Sequence, residues 1–246
     1  MSSISIENLT VRFLVYHNVS PSLKEWFVGL FRREKSSGYS NFIALDNISL
    51  AINSGERVGV VGHNGAGKST LLKSICRIYH PEKGTITVDG GVAPLLEIGA
   101  GFHPEFTGRE NIHLNGAILG KTKRQLKALE SGVIEFAELE EFIDTPVKYY
   151  STGMYMRLAF SVATGIHPDI LVLDEIFAGG DADFTVKAKA RMLEVIDSAN
   201  ILVMVSHDHE LIKAVCNRVV WLDHGKIIAD GDPVTVVDRY LKRAYR

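Results

Sequence analysis

The octapeptide Gly62-His63-Asn64-Gly65-Ala66-Gly67-Lys68-Ser69 has the spacing G-x-x-x-x-G-K-S. An apolar run, Val58-Gly59-Val60-Val61, precedes it and reads as a strand; Thr70-Leu71-Leu72-Lys73-Ser74-Ile75 follows and reads as a helix. Strand, glycine loop and helix in that order form the setting of a phosphate-binding P-loop. The glycines let successive backbone N–H groups of Gly62 through Thr70 curl around phosphate oxygens, and the helix N-terminus adds partial positive charge. Lys68 is expected to reach the β- and γ-phosphates, and the Ser69 hydroxyl to ligate Mg²⁺. The alternative is a glycine-rich strand-to-helix turn that holds nothing. Lysine, serine, strand and helix together favour a bound nucleoside triphosphate with Mg²⁺.

Two further positions suit the same chemistry. Asp174-Glu175 ends the apolar run Ile170-Leu171-Val172-Leu173. An aspartate at a strand's C-terminal edge holds Mg²⁺ in P-loop enzymes, and Glu175 beside it can polarise an attacking water. Taken alone, such a pair is more often a helix N-cap; the P-loop upstream reverses that preference. His207 follows the run Ile201–Val205 and is expected at the tip of the neighbouring strand, where it can contact the γ-phosphate and assist Glu175. A lone histidine more often has a structural or solvated role, and eight others are present.

The elements that position these residues alternate in an α/β pattern. The continuous apolar runs at 170–173 and 201–205 mark strands buried on both faces, with a helix expected over Asp181–Ser198. Alternation at Ile4, Ile6, Leu9, Val11 and Phe13, with one slip, predicts an opening strand, and Phe42–Leu50 predicts a second. Thr85–Val88 reads as a short strand after the turn Pro81–Gly84, and a hairpin turns at His224-Gly225 before a closing helix from Pro233. Helical patterns at Arg109–Leu119, Arg124–Asp144 and Met154–Ala163 interrupt the α/β series, giving a helical insert over about 107–165. A second insert, residues 14–40, contains Ser20-Pro21 as a helix start. Leu23, Trp26, Phe27, Leu30 and Phe31 then recur on one helical face. That stripe packs on the core, or contacts a membrane-protein partner or the membrane surface itself; Trp26, Arg32, Arg33 and Lys35 suit an interface.

The 246 residues carry 27 Lys+Arg against 29 Asp+Glu, which argues against an electrostatic grip on nucleic acid. Two cysteines, Cys76 and Cys216, are too few for a disulfide framework and fit a reduced compartment. The start Met1–Glu7 lacks the basic and apolar regions of a signal peptide, and no apolar run approaches the ~20 residues a spanning helix needs.

The order P-loop, helical insert, Ser151-Thr152-Gly153-Met154, Asp174-Glu175, His207 resembles the ATP-binding subunit of ABC transporters, over nearly the whole chain from Ser3 to Val236. The resemblance implies a single cassette over residues 1–246: an α/β P-loop ATPase core with an antiparallel β portion and an inserted α-helical subdomain. It also implies a head-to-tail homodimer, with each ATP between the P-loop of one copy and Ser151, Thr152 and Gly153 of the other. On its own, Ser151-Thr152-Gly153 would read as a helix cap. By the same resemblance Asp181 is the aspartate that communicates across the dimer, and Tyr39 the ring against adenine, with Phe42 nearby. Glu97 stands where the family usually has a magnesium-loop glutamine, and Tyr150-Ser151-Thr152-Gly153-Met154 replaces the usual Leu-Ser-Gly-Gly-Gln.

Glu97–Asn111 followed by Tyr150–Leu158 resembles the subgroup that exports bacterial surface polysaccharides, and the insert before the second strand favours its O-antigen exporters. This implies a separate integral-membrane permease as partner and a location at the cytoplasmic face of the inner membrane. Teichoic acid and capsule are alternative cargoes. Some members carry a C-terminal carbohydrate-binding domain, which is not expected in a chain ending at Arg246. Competing readings are a soluble ABC ATPase acting on ribosomes or DNA, and a small-molecule kinase. Near-neutral charge and one cassette argue against the first, and Ser151-Thr152-Gly153 is unexplained by the second.

Overall fold

The structure, a computed structural model, describes residues 2–16, 39–96, 98–166, 168–174 and 182–244. The first half of the chain forms β1 (Ser3–Tyr16), β2 (Tyr39–Asn53), β3 (Arg57–Val61), α1 (Lys68–Ile75), β4 (Lys83–Asp89) and β5 (Val92–Leu95). Then come α2 (Gly108–Ile118), α3 (Lys123–Ala137), a 3₁₀ turn (Val147–Tyr149) and α4 (Thr152–Thr164). The remainder is β6 (Ile170–Asp174), α5 (Ala182–Ser198), β7 (Ile201–Val205), α6 (His209–Val215), β8 (Arg218–Asp223), β9 (Lys226–Gly231) and α7 (Pro233–Ala244).

A six-stranded sheet runs in the order β5-β6-β7-β3-β8-β9, parallel except for the antiparallel β8–β9 hairpin. Its central strands carry apolar side chains on both faces, which is why they appear as unbroken apolar runs. Val58, Val60, Ile170, Val172, Ile201, Val203 and Val205 join one core with Leu71, Leu72 and Ile75 of α1. On the other face Leu171, Leu173, Leu202, Met204 and Val219 pack against Phe184, Met192, Val195 and Ile196 of α5. Each fully buried side chain of this size contributes about 1.5–3 kcal/mol, so the sheet's centre is the firmest platform in the molecule.

A second sheet, antiparallel in the order β2-β1-β4, covers the α1 side with Ile4, Ile6 and Leu9. The slip in the alternation of β1 falls at Asn8, in the left-handed region at φ 50, where the register with β2 shifts between Ile6 and Leu9. Two further shifts, at Leu9/Val11 and Val11/Arg12, carry the strand on to Tyr16. A bulge of this kind bends the ribbon while returning Leu9 and Val11 to the buried face. β2 is longer than the expected Phe42–Leu50 because its ends pair with both ends of β1.

Helices α2, α3 and α4 enclose a third core of Ile112, Val133, Ile134, Ala137, Leu139, Ile143, Leu158 and Val162. Two capping boxes start α2 and α3: Thr107 with Glu110, and Thr122 with Gln125. The expected helix 124–144 ends early, at Glu138 (φ 57, ψ 49). Leu139 and Ile143 lie just beyond that left-handed residue and are 1% and 2% exposed. Turning the chain there buries both, which a continued helix would not allow. Arg109 of α2 fastens the turn by donating to Asp144 at 2.7 and 3.1 Å, and also pairs with Glu130 of α3.

Two elements lay outside the sequence expectations. β5 contains Pro94 and is an edge strand, the place in a sheet where a missing N–H is tolerated. α6 is seven residues long and is capped by the Asp208 carboxylate, which accepts from the N–H groups of Glu210 and Leu211.

Candidate nucleotide site

The loop between β3 and α1 is shaped by contacts that tolerate no side chain. Gly62 has φ 155, and a Cβ there would lie 2.3 Å from the Leu222 carbonyl oxygen of β8. Gly67, the N-cap of α1, has φ 104, and its Cβ would lie 2.5 Å from the Ala44 carbonyl oxygen of β2. The loop therefore passes between two backbones at both ends. Lys68 folds back over it, and its ammonium donates to the Gly62 oxygen at 2.7 Å and the His63 oxygen at 3.1 Å. The β8–β9 turn supports the loop from beneath: Gly225 N–H donates to the Ala66 oxygen at 3.0 Å and the Gly225 oxygen accepts from Asp46 N–H at 2.9 Å.

A cavity of about 350 Å³ opens above this loop, lined by Asn64, Gly65, Gly67, Lys68, Ser69 and Thr70 together with Phe42, Ala44, Asp174 and Val205. No acidic side chain occupies the first turn of α1, so the helix itself does not offset the attraction of that end for anions. Asp174 enters from β6, which ends level with Val205 of β7 in the parallel register. Ser69 and Asp174 thus bring a hydroxyl and a carboxylate to the same cavity as the Lys68 cation. Hard oxygen donors of this kind are the ones Mg²⁺ takes. His207 lies two residues beyond Val205 and is exposed.

Phe42 was no more than a neighbour of the sequence-predicted aromatic, yet its ring lines the cavity and is 50% exposed. A large apolar side chain left half open at a cavity wall is the signal that marks it. Tyr39 lies three residues earlier, at the start of β2 and opposite Tyr16. Glu97, Glu175, Asp181 and the amphipathic stripe Leu23–Phe31 fall outside the described residues.

Ser151, Thr152 and Gly153 are exposed at the start of α4 and are not part of the cavity wall. Ser151 caps the helix, its hydroxyl accepting from Met154 N–H at 3.2 Å. The same helix is tied to the segment after β5: Tyr155 donates to the Gly99 carbonyl oxygen at 2.9 Å, and its ring meets Phe102 edge-on at 5.3 Å. Burial pushes the Tyr155 phenol up, so it remains a donor at neutral pH. Gly99 (φ 84) leaves room for that ring, since a Cβ there would lie 2.7 Å from it.

The profile described as "ABC transporter" matches residues 45–178. The O-antigen export system ATP-binding protein RfbE of Yersinia enterocolitica is 43% identical over 92% of this chain and 97% of its own length. The O-antigen export system ATP-binding protein RfbB of Myxococcus xanthus is 44% identical over 92% of this chain and 51% of its own, so the chain spans about half of that relative. A solved dimeric ATP-binding cassette, in a post-hydrolysis state with ADP and Pi, superimposes with a TM-score of 0.67 at 19% identity. The match covers 94% of this chain and 98% of that one, which establishes a shared fold. A profile match over more than half of the residues, and a relative aligned along nearly its whole length, place this chain in the ABC transporter family.

Proposed function

We propose that this chain is the ATP-hydrolysing subunit of an exporter that moves a polysaccharide, lipid-linked O antigen in the reading its relatives favour, through a separate membrane permease. The observation that carries the ATPase reading is the convergence of Lys68, Ser69 and Asp174 on one cavity at the N-terminus of α1. The nucleotide's phosphates lie along residues Gly62–Thr70, held by backbone N–H groups and the Lys68 cation. Ser69 and Asp174 would hold Mg²⁺, which when bound would supply positive charge beside the phosphates. The adenine stacks beside Phe42 or Tyr39; a flat ring needs a π-face there and no base-specific hydrogen bond.

The exposed start of α4 lies outside its own chain's cavity, which supports a composite site completed by a second copy. In a head-to-tail dimer Ser151, Thr152 and Gly153 of one copy meet the γ-phosphate held by the other. Glu175 positions the attacking water, His207 contacts the γ-phosphate, and Asp181 links the two sites. ATP draws the copies together; loss of the γ-phosphate releases them, and this differential affinity gates the permease. Among the described residues no helix is long and apolar enough to cross a membrane, so the pathway belongs to the permease. Attachment to that permease keeps the subunit at the cytoplasmic face. Glu97 stays a magnesium-loop carboxylate in this scheme.

Purified wild type and Glu175→Gln, each followed by size exclusion with Mg-ATP, test the scheme. The variant is expected to bind ATP with near wild-type affinity, remain dimeric and hydrolyse at a small fraction of the wild-type rate. A monomeric variant with ATP bound overturns the composite site, and wild-type hydrolysis overturns the role of Glu175.

A further inference from the structure

The phosphate-binding reading uses the backbone of the β3–α1 loop and leaves the His63 side chain without a task. His63 Nδ1 lies 2.6 Å from the Asn64 carbonyl oxygen. A carbonyl can only accept, so Nδ1 carries a proton whenever this contact is made. The other ring nitrogen, Nε2, lies 2.9 Å from Asp223 Oδ1. In a neutral ring that nitrogen is a lone pair, and a lone pair facing a carboxylate oxygen needs a cation between them. His224 Nδ1 approaches the same oxygen at 2.8 Å. The two rings are 4.8 Å apart, and the three donor atoms all lie within 4.8 Å of one another.

The rest of the surroundings suits a bound cation. Arg243 takes the other Asp223 oxygen at 3.1 Å, leaving Oδ1 to the two imidazoles. A ring N–H given to a backbone carbonyl is the outer bond that metal-ligating histidines make. The ligands stand on firm supports, because the β8–β9 turn that carries His224 is bonded to Ala66 of the loop and to Asp46 of β2.

We propose that His63, Asp223 and His224 form a binding site for a divalent transition ion of the zinc type, with three protein ligands and one position open to water. Two imidazoles and one carboxylate suit Zn²⁺, Co²⁺ or Ni²⁺, whereas the Mg²⁺ that accompanies a nucleotide prefers oxygen alone. Ligand bonds of roughly 2.0–2.2 Å in a tetrahedral site put neighbouring donor atoms about 3.3–3.6 Å apart. The observed 2.8 and 2.9 Å separations from Asp223 open by about half an ångström on loading, and the two imidazole nitrogens, within 4.8 Å of each other, settle at the same spacing; His224, with 83% of its side chain exposed, is free to make that adjustment. Once loaded, the ion cross-links the β3–α1 loop to the β8–β9 hairpin, a role separate from the nucleotide reading.

The test is titration of the full chain, purified without a histidine tag and stripped with chelator, with Co²⁺ in the absence of nucleotide. Expected is one equivalent of Co²⁺ with visible d–d absorption, displaced by Zn²⁺, and affinity lowered about tenfold or more in His224→Asn. Asparagine suits the left-handed turn position at φ 46, so this variant keeps the hairpin; Asp223→Asn is expected to weaken binding likewise. Thermal unfolding in excess chelator checks that each variant folds. Absence of stoichiometric Co²⁺ binding, or equal affinity in His224→Asn, overturns the site and leaves a proton on His63 Nε2 as the cation.

Discussion

Alanine at Gly65 and at Gly67 separates the two demands made on the phosphate loop. Gly65 has φ 81, and a Cβ there meets no atom within 4 Å. Its replacement costs the left-handed backbone alone, about 1–2 kcal/mol. Gly67 has φ 104, farther from the left-handed well that other residues occupy, and its Cβ would lie 2.5 Å from the Ala44 oxygen and 2.9 Å from Leu45 Cδ2. Neither neighbour can retreat cheaply, because Ala44 is buried between the paired residues Ile43 and Leu45, and Leu45 is fully buried. Overpacking of this kind adds about 1–3 kcal/mol. Urea denaturation of both variants, with the wild-type slope, is expected to place Gly67→Ala below Gly65→Ala by that margin. Nucleotide titration is expected to show weaker binding in both variants, since both glycines line the cavity, so the stability gap is not mirrored in affinity. Equal stability losses would refute the claim that the Ala44 backbone dictates glycine at 67.

Three further outcomes follow from particular contacts. Tyr155→Phe removes the donor to the Gly99 oxygen and is expected to cost about 0.5–1.5 kcal/mol in urea denaturation while leaving ATP affinity unchanged; a comparable loss of affinity would contradict that separation. Burial raises the Glu56 carboxyl, but bonds from Asn53 N–H and Arg218 prevail, so it sits below its ordinary 4.5. A depressed acid stabilises the fold above its unfolded pKa and loses that contribution as pH falls through the folded value. The stability difference between wild type and Glu56→Gln is therefore expected to shrink as pH is lowered below 4.5, and a constant gap in pH-dependent thermal unfolding would contradict it. Burial pushes both the Cys76 and Cys216 thiols up to about 12. At pH 8 only about one thiol in ten thousand is then thiolate, so native protein should resist alkylation until urea exposes the cysteines, and rapid native labelling would argue against their burial.

The residues that meet at the cavity were legible because each sits at a strand end or in a loop with a strict chemical pattern. The spacing from Gly62 to Ser69 and the apolar run before Asp174 are local signals, and the parallel register of β3, β7 and β6 brings the loop and Asp174 to one cavity. What escaped the sequence was decided by tertiary contacts. β5 exists because β6 pairs with it, despite Pro94. α3 stops at Glu138 without glycine or proline because turning there buries Leu139 and Ile143. Phe42 lay within the expected strand, but its place on the cavity wall is set by where β2 passes the phosphate loop, with the neighbouring Ala44 backbone close against Gly67. The His63–Asp223 contact joins residues 160 apart in the chain, and no local pattern announces it.

If ATP turnover by this chain drives polysaccharide export, deletion of the gene in the native host will show it, with complementation by wild type, Lys68→Ala or Glu175→Gln and with surface polysaccharide and intracellular lipid-linked glycan measured together. Expected is loss of surface glycan with internal accumulation, rescued by wild type and by neither variant. Unchanged surface glycan in the deletion strain, or rescue by Lys68→Ala, would contradict it.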